Sequence, residues 1–70
     1  MKFVVCIKNQ SYEASLEMGK IYQVLNDVKA SKNNLIRVVD ESGEGYLYSK
    51  DMFVSIKVPK KVEDILLAVW

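Results

Sequence analysis

Short apolar strand-like runs separated by polar, irregular stretches make up the chain to Val58, and the period becomes that of a helix only after Pro59. Lys2 to Ile7 is almost continuously apolar and β-branched, which predicts a strand buried on both faces, one of them under an additional element. Asn9 to Met18 is irregular, with Tyr12 and Leu16 as isolated apolar anchors, and reads as a long loop folded onto the sheet. Lys20 to Leu25 is a second strand with Tyr22 and Val24 on one face. The polar segment Asn26 to Asn34 has no periodicity and is expected to be a mobile loop. Leu35 to Asp40 is a third strand, with Ile36 and Val38 sharing a face. Glu41 to Glu44 forms a hairpin turn, where Gly43 takes positive φ at little cost, and Gly45 marks a place from which a side chain is excluded. Tyr46 to Tyr48 is a short fourth strand, Ser49 to Met52 a single helical turn capped by Ser49, and Phe53 to Val58 the last strand.

From Lys60 onward, Val62, Ile65, Leu66 and Val69 fall at i, i+3, i+4, i+7, which predicts an amphipathic helix. Pro59 near its start and Glu63-Asp64 in its first turns suit the missing N–H and the positive end of the helix dipole. Burying that stripe is worth ~1.5–3 kcal/mol per side chain, so the helix is expected to dock, either on its own barrel or on a partner. Leu67 and Trp70 fall off the stripe and are candidate anchors at an interface.

Seventy residues, half of them hydrophobic and 27% charged, describe one small globular domain. We divide it into a small β-barrel over residues 1–58 and the C-terminal helix over 59–70. The formal net charge of +1 gives no global field toward phosphate backbones. Cys6 is the sole cysteine, so no internal disulfide is possible, and a reducing, cytoplasmic setting is expected. The apolar runs at residues 3–7 and 65–70 are too short for a signal-peptide core or a membrane span, and no membrane association is expected.

Five short strands with a long loop after the first and a helical turn before the last resemble the Src-homology-3-like small barrel over roughly residues 2–56. Glu17-Met18-Gly19-Lys20 stands where that family has a Lys-Lys-Gly-Asp-like corner. Gly45 to Phe53 looks like a longer counterpart of its Gly-Tyr-Ile-Pro-Ser-Asn-Tyr-Val-like segment. The chain is also similar to small bacterial and phage proteins with a Gly-Lys-Ile-Tyr, Arg-Val-Ile-Asp-Glu-Ser-Gly and Tyr-Leu-Tyr pattern, here at Gly19–Tyr22, Arg37–Gly43 and Tyr46–Tyr48. The resemblance implies a mostly β fold, a five-stranded barrel with a C-terminal α-helix. It does not carry over proline-motif recognition, because the aromatic walls of that groove are missing. The family's Ala-Leu-Tyr-Asp-Tyr-like motif reads Val5-Cys6-Ile7-Lys8-Asn9 here, the tandem tryptophan site reads Leu35-Ile36, and the proline and tyrosine of the last segment are replaced around Ser49 and Met52.

Without histidine and without acid pairs at ligand spacing, the chain lacks the constellations of nucleophilic, zinc or acid–base catalysis; no enzyme, cofactor or metal is expected. Cys6, inside an apolar strand, reads as a small hydrophobe with a raised pKa rather than a reactive thiol. Asp40, Glu41, Glu44 and Asp51 read as a solvated turn. The expected function is non-catalytic protein–protein contact through Tyr12, Tyr46, Tyr48 and the Asn26–Asn34 loop, with Leu67 and Trp70 as helix anchors and a homodimer through the helix as one form of it. The competing reading is a nucleic-acid-binding barrel using Lys29, Lys32, Lys57, Lys60 and Lys61 with the tyrosines as stacking groups.

Overall fold

The computed structural model describes residues 2–69, without the side chain of Val69. Trp70 therefore lies outside the described residues. Five strands, β1 (Lys2–Cys6), β2 (Ile21–Leu25), β3 (Leu35–Val39), β4 (Gly45–Ser49) and β5 (Phe53–Ile56), form one antiparallel sheet in the order β4-β3-β2-β1-β5. Two helices accompany it, α1 (Val28–Lys32) and α2 (Lys60–Val69). The mostly β fold with a C-terminal helix is thus as expected. Among the described residues no ladder joins β4 to β5, so hydrogen bonds do not close the sheet into a barrel. The two edges meet through side chains instead, the Tyr48 and Phe53 rings lying edge to face at 5.9 Å.

Alternation places Val4 and Cys6 of β1, Tyr22 of β2, Val38 of β3, Tyr48 of β4 and Phe53 of β5 in one core, with Val24, Ile36 and Met52 packed against it. The odd positions of β1 point the other way, and Phe3 is buried there as well, in keeping with a strand covered on both faces. Leu16, in the long loop over residues 7–20, is as buried as Phe3 and Cys6 of β1, at 1% exposure. The Cys6 thiol is buried and donates to Lys8 O at 3.3 Å, and burial pushes its pKa up. The 3-10 turn at Lys50–Met52 is capped by Ser49, whose hydroxyl accepts from Asp51 N at 3.4 Å.

The expected mobile loop at Asn26–Asn34 is instead mostly helical. Asp27 caps α1, its Oδ1 accepting from Ala30 N at 2.9 Å while Oδ2 accepts from Arg37 Nε at 2.8 Å, and Ala30 is buried. A helix of five residues is too short to show a period, and its stability comes from this cap and the Arg37 pair.

Gly43 has φ +83° with open space around its α-carbon, and a Cβ on Gly45 would meet Leu25 Cδ1 at 2.7 Å and Arg37 Cγ at 3.3 Å. The first needs the left-handed conformation and the second needs room. Gly43→Ala is expected to lower stability by about 1 kcal/mol, read from the urea midpoint, and Gly43→Asn by less, since asparagine tolerates that region.

Helix α2 begins with Glu63 N donating to Pro59 O at 2.9 Å and carries an i,i+4 ion pair between Lys60 and Asp64. Its first turn lies beside β1 and β5, where Glu63 shares a cleft with Phe3, Ile56 and Val58. Much of its apolar stripe stays open: Ile65 is 63% exposed and Val62 is exposed, while Leu66 is half-buried.

Candidate functional site

The long loop and the β3–β4 hairpin are tied together by side chains and backbone. Glu41 N donates to Ser15 O at 3.0 Å, and Lys20 Nζ reaches Glu41 Oε2 at 2.6 Å. The same Glu41 oxygen accepts from the Tyr22 hydroxyl at 2.6 Å, while Tyr22 Oη accepts from Glu17 N at 2.8 Å. Deeper in, the Tyr48 hydroxyl donates to Asp40 Oδ2 at 2.5 Å and meets the Ser15 hydroxyl at 3.0 Å. Asp40 Oδ1 accepts from both Ser42 N at 2.9 Å and Ser42 Oγ at 2.5 Å.

This network corrects the reading of the acidic residues as a solvated turn for Asp40, while Glu41, Glu44 and Asp51 are exposed as expected. Asp40 is only 6% exposed and its carboxylate is fully engaged, and Glu41 is the pivot of a second set of bonds. Burial pushes the Asp40 carboxyl up, but hydrogen bonds from Ser42 and Tyr48 outweigh it and hold it below the usual carboxylate range. Bonds from Lys20 and then Tyr22 lower Glu41 likewise. Burial, with Asp40 second, pushes Tyr48 up to about 12.

The network shapes a shallow groove of about 280 Å³ lined by Tyr12, Ser15, Asp40, Ser42, Tyr46, Leu47 and Tyr48. Tyr12 stands edge to face on Tyr48 at 5.1 Å and 83°. The three tyrosines singled out in the sequence therefore converge, but in different capacities. Tyr48 is the buried base, whereas Tyr12 and Tyr46, at 45% and 49% exposure, present their rings to solvent. Tyr46 donates its hydroxyl to Glu44 Oε2 at 2.9 Å, and Leu47 adds an exposed aliphatic wall. Asp40 and Ser15 were not anticipated as parts of this surface; their roles depend on loop-to-hairpin register that no local pattern encodes.

The remaining candidates lie elsewhere. Leu67 is on α2 and does not line the groove, and the Asn26–Asn34 segment flanks a different cleft. The five lysines divide into two groups: Lys29 and Lys32 on α1, which packs on β3, and Lys57, Lys60 and Lys61 after β5, with β2 and β1 between. Among the described residues there is no cluster of three or more Cys, Asp or Glu able to hold a metal ion, and no helix is long and apolar enough to cross a membrane. No protein-family model matches the chain, and no curated protein or solved structure matches it significantly.

Proposed function

We propose that this chain is a non-catalytic, Src-homology-3-like module that acts by protein–protein contact through the Tyr12–Tyr46–Tyr48 groove, without the family's usual proline-motif recognition. The observation that carries the reading is the preformed groove, in which exposed Tyr12 stands on a buried Tyr48 that Asp40 and Ser15 hold in place and exposed Tyr46 lines the same surface. Exposed tyrosines with few rotatable bonds are favoured at interfaces because they offer large amphipathic area at low entropic cost. The strand order, the long loop after β1 and the 3-10 turn before β5 support the family resemblance. Asp40 is buried and satisfied, but exposed Glu13, next to Tyr12, and exposed Glu44, which accepts from Tyr46, put negative charge at the rim, so the surface suits a segment carrying apolar and basic side chains. The formal net charge of +1 gives no global attraction to a phosphate backbone, which favours the protein-contact reading over the nucleic-acid one.

Peptides selected against the folded chain from a displayed random library test the proposal. Tyr46→Ala, an exposed position, is expected to leave the melting temperature unchanged and weaken the selected peptides about tenfold, as truncating an aromatic anchor does. Peptides that bind the variant as tightly as the wild type would place the contact elsewhere.

A further inference from the structure

A second concavity, of about 500 Å³, lies at the other end of the sheet, between α1, the ends of β2 and β3, and the 3-10 turn. Its volume falls in the range of small-molecule sites, whereas the tyrosine groove is shallower and smaller. Its apolar wall is the unfinished end of the core: Val24 and Ile36 pack on the core cluster from inside and still reach the cleft, joined by Leu35. Helix α2, which would be the natural plug, instead starts beside β1 and β5.

The charges of this cleft are unbalanced. Lys2, Arg37 and Lys50 line it against one carboxylate, Asp27. That carboxylate is already satisfied, by Ala30 N on one oxygen and by Arg37 on the other. Among the described residues Lys2 and Lys50 take part in no ion pair. Two unpaired ammonium groups beside an apolar wall form a receptor for an anion with an apolar body, since the cations gain a charge-assisted partner while the body removes Val24, Leu35 and Ile36 from water.

We infer that this cleft is a binding site for a small organic anion, a carboxylate or phosphate carried on a ring or short aliphatic body. This site is separate from the tyrosine groove and stands whether or not the groove binds protein. The body would lie on Val24, Leu35 and Ile36, and the anionic head would sit between Lys2 and Lys50.

Titrating the isotope-labelled chain with 1-naphthyl phosphate and following its backbone amides tests the site, with 1-naphthylmethylamine, inorganic phosphate and an eight-residue oligothymidylate as parallel probes. Saturable shifts are expected at 23–27 and 35–37 with naphthyl phosphate, and binding at least about tenfold weaker for the amine and for phosphate alone. Lys2→Gln with Lys50→Gln, both exposed, should leave the fold intact and weaken naphthyl phosphate about fivefold. Shifts confined to the tyrosine groove, equal binding of the amine, or an unchanged affinity in the double variant would overturn the inference. Tighter binding of the oligothymidylate to the same amides would also overturn it, in favour of a nucleic-acid surface.

Discussion

Leu16→Ala is expected to cost about 3 kcal/mol, although the residue belongs to no strand or helix. Leu16 is among the most buried side chains of the core, and its own backbone is held by Leu16 N donating to Tyr12 O at 2.9 Å and by Asn9 Nδ2 donating to Leu16 O at 3.1 Å. A domain of this size has a total stability on the order of 4–10 kcal/mol, so the loss would lower the melting temperature by more than about 10 °C. Met18, two residues on and largely exposed, is the internal control: Met18→Ala should change stability by less than about 0.5 kcal/mol. Urea unfolding followed by circular dichroism measures both. Similar effects at the two positions would mean that the long loop does not belong to the folding unit.

Asp40→Asn should cost about 2 kcal/mol at neutral pH, because it replaces charge-assisted bonds from Tyr48 and Ser42 with weaker neutral ones in a buried site. The pH dependence identifies the cause. The folded-state carboxyl titrates below its unfolded value of about 3.9, so the ionised group stabilises the fold above that pH and loses its contribution as pH falls through the folded value. The gap between wild type and Asp40→Asn should therefore narrow below about pH 4. Tyr48 behaves in the opposite sense. Its hydroxyl is raised from 10.0 to about 12, so its contribution is complete below pH 10 and is lost as pH rises toward 12. In Asp40→Asn the tyrosinate absorbance of this ring should appear at lower pH than in wild type. A stability gap that stays constant down to pH 2 would show that the carboxylate charge is not its source.

The alternation of period two located the core faces because the sheet buries one side of each strand: Tyr22 with Val24 and Ile36 with Val38 fall inward as their spacing implies. Gly43 and Ser49 were legible for local reasons, a positive φ and a cap, which depend on neighbours in sequence. What escaped was non-local. Helix α1 depends on Arg37 of the next strand reaching back to Asp27. Asp40 looks like any hairpin acid until Tyr48, itself met by Ser15 thirty-three residues away, is brought onto it. Alternation puts Tyr46 and Tyr48 on one face of β4, and only the long loop, through Tyr12 and Ser15 on Tyr48, makes one buried and leaves the other exposed. The tyrosines were legible as a group, but their division into anchor and contact surface required the loop to be placed.

The most direct test of groove-mediated contact is an amide chemical-shift map of the labelled chain with and without a library-selected peptide. Perturbations should concentrate at Tyr12 to Ser15 and Ser42 to Tyr48, on the two segments that build the groove. A map centred instead on Val62 to Leu67 of α2, or on Lys29 and Lys32 with Lys57, Lys60 and Lys61, would contradict it.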